Sequence, residues 1–375
     1  MKIEIYSPTI RRKEMDAVLT AMVEEKIGPG ERSRLLIQTA KDQLAFDYAL
    51  ALRSPAVALF FALKALTKPG QAVLLSSLSP RYYLQVLQDL QLTPVYCDVS
   101  YDLPVMSRES AESAVSKKPS DLEIGAVVVH HTLGYIPDTA SIAGLGFPVI
   151  EDISQSYGFW LKPAAKKNED DPSVNDKPSK KDNDSSGSPF TVPYSAFYIL
   201  GLEERDMLTS GGGALLFAMN RKDGALLRAF AGVANEYCLP DINAALAVVQ
   251  FKEISRNIGR RRTIAEVYSK ACLSLSSRTK HKRFVPLSIS DNEYCNYAFS
   301  LILDTGLKDV IAYAKKKEIE TENAFENTIA HSGFDLGSTC PVSSSLILRT
   351  INFPIYPRLR SQDVERITRL VMTLP

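Results

Sequence analysis

The residues of this chain best equipped for chemistry fall within 197–217, FYILGLEERDMLTSGGGALLF. The pattern is an apolar run, an acidic turn carrying Glu203, Glu204 and Asp206, the triplet Gly211-Gly212-Gly213, and a second apolar run. Glycine has no Cβ, so a backbone of this kind turns tightly and approaches a ligand closely, which predicts a ligand loop between two strands. The reactive groups on offer are carboxylates, able to act as bases. No lysine occurs between Asp182 and Arg221. A second acidic pair, Glu151-Asp152, closes another short apolar run, where it either presents a carboxylate at a strand end or caps the following turn.

The elements that must position these groups follow from the hydrophobic pattern. Apolar runs rich in Val, Ile and Leu at 72–76, 94–99, 125–131 and 148–152 alternate with helix-length segments such as 82–92 and 139–145. That alternation predicts a mostly parallel sheet with helices on both faces and ligand chemistry at the carboxyl ends of the strands. Earlier in the chain, Met15, Val18 and Met22 recur at helical spacing before Gly28-Pro29-Gly30, and a second helix is predicted over 36–52. Ser54-Pro55 followed by Leu59, Ala62, Leu63 and Leu66 reads as a helix with a serine cap and proline in its first turn. Pro240-Asp241 opens a long helix with Ala247, Phe251, Ile254 and Ile258 on one face, ending near Arg260-Arg261-Arg262. Beyond it, a strand at 296–303 and helices at 307–317 and 361–372 form a smaller α+β unit. The expected division is a large domain over 1–255 and a small one over 256–375.

Residues 162–189 contain six lysines and six acids and no aliphatic side chain larger than Val174, so they bury too little apolar surface to offset their conformational entropy and are predicted to be a disordered surface insertion. The whole chain has 44 Lys+Arg against 43 Asp+Glu, a net charge of +1 that gives no field for nucleic acid or an anionic membrane. The absence of a leader-like N-terminus or a membrane-length apolar run predicts a cytoplasmic protein. Five cysteines scattered singly read as buried thiols, with no metal site expected.

The stretch Glu151-Asp152-Ile153-Ser154-Gln155-Ser156-Tyr157-Gly158 resembles the E-D-x-x-Q-x-x-G motif of sugar aminotransferases of the DegT/DnrJ type, fold-type-I enzymes dependent on pyridoxal phosphate (PLP) in nucleotide-sugar metabolism. Further matches follow in order along some 350 residues: Gly28-Pro29-Gly30; His131 to Gly134 with Asp138 and Ile142, similar to H-x-x-G then D-x-x-x-I; Leu239-Pro240-Asp241; the arginine run; and Phe353-Pro354-Ile355-Tyr356-Pro357-Arg358-Leu359, similar to L-P-x-x-P-x-L. The resemblance implies the fold-type-I architecture: a seven-stranded-type, mostly parallel sheet between helices, plus a small C-terminal α+β domain. It also implies a homodimer.

For the site, the resemblance places Asp152 where an aspartate meets the pyridine nitrogen of the cofactor. Gln155, Ser54, His131 and Ser210 take further cofactor-side positions, in vestigial form. Four matches fail. The family's Ser-Gly-Thr phosphate cradle aligns with Ser54-Pro55-Ala56, and its N-Y-R with Glu236-Tyr237-Cys238 or, shifted by one, with Asn235. The ring-stacking aromatic falls near 78–80, with Tyr82 or Tyr83 as substitutes, and the Schiff-base lysine falls on Asp206 or, counted from the preceding strand, on Glu203. A carboxylate cannot form an imine. The first expectation is therefore a protein without a cofactor that binds a sugar nucleotide or assembles with an active aminotransferase paralogue. The alternatives are an enzyme that uses pyridoxamine phosphate (PMP) without lysine, with Asp206 or Glu203 as base, and an aminotransferase recruiting a lysine from 162–181. His130, His281 and His331 read as surface or core residues.

Overall fold

The computed structural model describes residues 2–160, 194–275, 280–284, 294–304, 306–333 and 336–375; the charged insertion lies outside the described residues. The apolar runs become β1 (Tyr48–Leu52), β2 (Ala72–Ser76), β3 (Thr93–Cys97), β4 (Ile124–His130), β5 (Val149–Asp152), β6 (Phe197–Gly201) and β7 (Ala214–Ala218), joined as one sheet in the order β1-β7-β6-β5-β4-β2-β3. From β3 to β6 the neighbours run parallel, while β7 is antiparallel to both β6 and β1. Every residue of β2, β4, β5, β6 and β7 is buried, because helices cover both faces and leave no solvated side to be polar.

The helices are α1 (Arg12–Val23), α2 (Glu31–Leu44), α3 (Pro55–Leu66), α4 (Tyr82–Asp89), α5 (Arg108–Lys117), α6 (Thr139–Ala143), α7 (Arg221–Arg228), α8 (Asp241–Leu275), α9 (Leu307–Lys316), α10 (Pro341–Ile347) and α11 (Ser361–Met372). A smaller antiparallel sheet, β8 (Phe299–Ile302), β10 (Thr350–Phe353) and β9 (Glu322–Asn323) in that order, has its own core with α9 and α11. Helix α8 belongs to both cores: Phe251, Ile254 and Ile258 pack under the large sheet, Ile264, Ala265 and Tyr268 against the small one.

Two expectations fail here. The second helix stops at Leu44, not at 52, because Ala45 turns left-handed (φ 51°) and residues 48–52 pair antiparallel with β7; strand pairing overrides the helical spacing of the leucines. On α1 the apolar residues Met15 and Met22 face outward, 56 % and 54 % exposed, while Glu14 and Ala21 are buried. Glu14 is held inside by hydrogen bonds from Arg11 N (3.0 Å) and Gln250 Nε2 (3.2 Å).

Motifs distant in sequence meet as pairs. Asp241, at the start of α8, accepts hydrogen bonds from the backbone of Gly30, Arg32 and Ser33 at 2.9 Å and from Ser33 Oγ at 2.8 Å, satisfying the first free N–H groups of α2. A Cβ on Gly30 would lie 2.9 Å from the Asp241 carboxylate, which explains the glycine. Likewise Arg261 Nη1 donates to the carbonyls of Ile355 (2.6 Å) and Tyr297 (3.0 Å), and Arg260 Nη2 to that of Leu359 (3.0 Å), tying the arginine run to the C-terminal proline motif. Replacing Asp241 by alanine leaves several buried donors unpaired, so urea unfolding of Asp241→Ala should show a loss of about 2–3 kcal/mol relative to wild type.

Candidate functional site

Adjacent side chains on a strand point to opposite faces, and at the end of β5 this separates two neighbouring acids. Glu151 turns to one side, into a closed network: its Oε1 lies 2.8 Å from His131 Nε2 and accepts from Thr139 Oγ1 (3.1 Å), while Oε2 accepts from Ser195 Oγ (2.8 Å). His131 Nδ1 is 2.6 Å from Ser156 Oγ, and the imidazole is fully buried. Burial works against the carboxylate, yet the hydrogen bonds from His131, Ser195 and Thr139 hold Glu151 below its ordinary pKa. This half of the E-D motif fastens β4, β5 and β6 together and lies outside the lining of the cavity that Asp152 faces.

Asp152 turns to the other side, toward a cavity of about 770 Å³ at the carboxyl ends of β2, β4, β5 and β6. Its carboxylate is already satisfied: Oδ2 accepts from the Tyr83 hydroxyl at 2.6 Å, and Oδ1 from Ser154 N (3.0 Å) and Ser154 Oγ (2.5 Å). Ser154 Oγ in turn accepts from Gly201 N at 2.7 Å, so β5 and β6 hold the group from both sides. Burial, followed by the Asp152 charge, keeps the Tyr83 phenol far above its usual pKa and therefore a donor.

The acidic turn closes the same cavity. After β6, the N–H groups of Ser210 and Gly212 donate to the Leu202 carbonyl at 2.9 and 3.1 Å, and Leu202 N donates to Gly213 O at 2.8 Å. Asp206 folds back over Gly201, where a Cβ would come within 2.3 Å of Asp206 Oδ2, and it accepts from Glu203 N at 2.9 Å. Burial pushes the Asp206 carboxyl up to about 8; the Glu203 N–H opposes this, and the charges of Asp152 and Glu203 add to it. Burial raises Glu203 as well, against a hydrogen bond from Gly213. Asp152, Gln155, Glu203 and Asp206 thus converge as lining residues, together with Tyr82, His130, Arg205 and Tyr297.

Three sequence-predicted residues lie elsewhere. Ser54 Oγ caps α3, accepting from Val57 N at 3.3 Å, and Pro55 rather than Ser54 lines the cavity. His131 belongs to the Glu151 network, and Ser210 Oγ is turned onto Gly212 O at 2.7 Å. The glycine triplet does not line the cavity either: its three residues have φ of 71°, 139° and 122°, and Gly213 is required because a Cβ would meet Leu239 at 2.4 Å. Those glycines serve the turn and its packing, and from this turn Glu203, Arg205 and Asp206 face the ligand space. Gln155 both lines the cavity and accepts from Leu133 N at 2.7 Å, holding that residue in its left-handed conformation (φ 56°).

His130 is a site residue that the sequence reading assigned to the core or surface. It stands opposite Asp152 in the β4–β5 register, 4 % exposed, with Nδ1 3.0 Å from Thr132 Oγ1, and burial lowers its pKa to about 4. The signal available in sequence was its position as the last residue of an apolar strand run. Among the described residues no lysine lines the cavity; its cations are Arg81 and Arg205, and Arg205 Nη1 is bound to Glu322 at 2.7 Å.

The pattern of the DegT/DnrJ/EryC1/StrS aminotransferase family matches residues 8–165 and 216–372, most of the chain. The chain belongs to this family. The interval between the two matched stretches includes the charged insertion, β6 and the acidic turn. The dTDP-4-amino-4,6-dideoxy-D-glucose transaminase of Escherichia coli is 22 % identical over 303 residues, 75 % of this chain and 73 % of that protein. Among solved structures, the aminotransferase TlmJ of Streptoalloteichus hindustanus superposes with a TM-score of 0.78 at 20 % identity, covering 99 % and 98 % of the two chains. NtdA of Bacillus subtilis, solved with PMP bound, gives 0.76 at 15 % identity over 96 % and 82 %. The α/β fold is that of the PLP-dependent aminotransferases. No helix among the described residues is long and apolar enough to cross a membrane.

The raised Asp206 pKa has a stability consequence with a definite sign. Unfolded, the carboxyl titrates near ~4, and folded near 8, so between those values the native state binds the extra proton. Stability therefore falls as pH rises through that window and is level above it. Asp206→Asn lacks this penalty. Thermal melts across the window should show its Tm gaining on wild type with rising pH and staying ahead above pH 8; parallel Tm curves would refute the assignment.

Proposed function

We propose that this family member does not transaminate and works by binding, as an assembly or regulatory partner of an active aminotransferase or as a receptor for a nucleotide sugar of the polysaccharide-building lineage. One observation carries the reading. The side chain that reaches toward Asp152 from the turn after β6 is the carboxylate of Asp206, where the resemblance calls for an amine.

Other features support it. The Asp152 carboxylate, which would meet a pyridine nitrogen, already accepts hydrogen bonds from Tyr83 and Ser154. Ser54, first residue of the vestigial phosphate cradle, is spent capping α3, and Pro55 supplies no N–H. Asp152, Glu203, Glu322 and Glu326 outnumber the cations Arg81 and Arg205 in the lining, a balance that disfavours a phosphate dianion. On this reading the protein holds no cofactor.

The protein acts in the cytoplasm and pairs with a second copy of itself or with an active paralogue. Support for pairing comes from the outward face of α1, where Met15, Leu19, Met22 and Val23 are 54–74 % exposed at helical spacing. Light scattering should give a dimer mass, and Leu19→Glu should shift it toward the monomer.

The decisive experiment is spectroscopic. Purified protein mixed with PLP should develop no imine absorbance that borohydride fixes, and neither PLP nor PMP should raise its Tm. An imine band would overturn the reading in favour of a recruited lysine. Saturable stabilisation by PMP alone would replace it with a lysine-free enzyme.

A further inference from the structure

A second cavity, of about 710 Å³, shares no lining residue with the one over the large sheet. Its walls are the loop after β3, residues 280–283 with the end of β8, and α10 with Arg349. Backbone bonds fix them. Lys282 and Ile302 exchange hydrogen bonds at 2.9 and 2.7 Å, and Leu303 N donates to Arg349 O at 2.8 Å. Asp98, just after β3, accepts from Val342 N (2.8 Å) and Ser343 N (2.9 Å), so the loop and α10 stand in a set relation.

The charge of this cleft is one-sided. Lys280, Lys282, Arg283 and Arg349 line it, against Asp102 and Asp304. Asp304 is already engaged: Oδ1 lies 2.5 Å from His281 Nδ1, and Oδ2 accepts from Lys280 N at 3.0 Å. Lys280, Lys282 and Arg349 are exposed and, among the described residues, pair with no acid. The chain as a whole carries +1, so this is a local concentration of charge, and cations that converge on a concave space focus a field for an anion.

A second observation concerns Arg283, which is anchored. It is partly buried, its Nη1 donates to Ser269 Oγ at 2.6 Å, and its guanidinium carbon stands 4.7 Å from the centre of the Phe299 ring. A guanidinium held in this way loses little freedom when an anion meets it, unlike a free surface lysine. The lining also includes Ile302, Leu303, Val342 and Leu346, apolar side chains of no use to a bare inorganic anion. Tyr101, 85 % exposed on the loop after β3, leaves most of its ring open for stacking.

We propose that this cleft binds a nucleoside diphosphate. Lys280, Lys282, Arg283 and Arg349 hold the diphosphate, and the apolar lining with Tyr101 takes the base. A space of about 710 Å³ is ample for a molecule of that size. The inference goes beyond the non-transaminating reading and does not depend on it, because that reading rests on the other cavity.

The test is calorimetric titration of the full-length protein with adenosine, AMP, ADP and pyrophosphate. Saturable binding is expected for ADP, weaker binding for AMP and pyrophosphate, and none for adenosine, with the affinity for ADP falling as salt is raised. The double variant Lys282→Ala, Arg349→Ala should bind ADP at least about tenfold more weakly, with an unchanged thermal melt because both side chains are exposed. Tyr101→Ala should weaken ADP and leave pyrophosphate as it was; if the double variant does not fold, this comparison decides alone. Adenosine binding equal to that of ADP, pyrophosphate binding tighter than ADP, an ADP affinity untouched by these variants, loss of ADP binding in Arg81→Ala of the other cavity, or no response to any probe overturns the inference. A null titration leaves the reading of the other cavity as it was.

Discussion

The structure turns on how one buried carboxylate is satisfied. Asp152 ends β5 with 2 % of its surface exposed, and burying a charge without partners is prohibitive. Tyr83 reaches it from α4, Ser154 from the following turn, and Ser154 is itself fixed by the Gly201 N–H at the end of β6. The same three bonds set the positions of α4, the β5 turn and the β6 turn, which are the walls of the cavity. A second carboxylate folded against this arrangement, that of Asp206, then has to give up part of its acidity.

Several residues of the motifs that mark the family hold the architecture together. Glu151 and His131 close a buried network across β4 and β5; Gln155 holds Leu133 in the turn that follows His131; Asp241 caps the helix after the Gly28-Pro29-Gly30 turn; Arg261 binds the carbonyl of Ile355 in the proline motif. Each pair joins segments far apart in sequence, so loss of either member leaves a buried polar group unpaired, a cost of about 1–3 kcal/mol. Residues whose duties lie toward a ligand carry no such penalty. Such a difference lets a chain keep its fold while the side chains around its cavity change.

Much of the architecture was legible because it rests on local pattern. The buried strands announce themselves as Val- and Leu-rich runs, and Ser54-Pro55 starts α3 as its residue types predict. Where local pattern misled, a tertiary contact had won. Residues 48–52 have leucines at spacings compatible with a helix but gain more by pairing with β7. Met15 and Met22 look like a core face, yet α1 packs on α8 through Ala21 and a hydrogen-bonded Glu14. The glycine triplet suggested close approach to a ligand; its actual constraint is Leu239, whose side chain takes the space of a Cβ at Gly213.

The sequence by itself determined the family through ordered motifs, the sheet through its buried runs, and the acidic, lysine-free character of residues 182–221, since these are properties of residue type and spacing along the chain. Only the tertiary structure decided that Asp152 and Asp206 share one cavity, that His131 and Ser210 stay out of it while His130 enters, and that a tyrosine 69 residues away completes the Asp152 carboxylate. Those are facts about distances through space, fixed by strand register and helix packing. The pKa of Asp206 depends on the same distances, because burial and neighbouring charge exist only once the chain has folded.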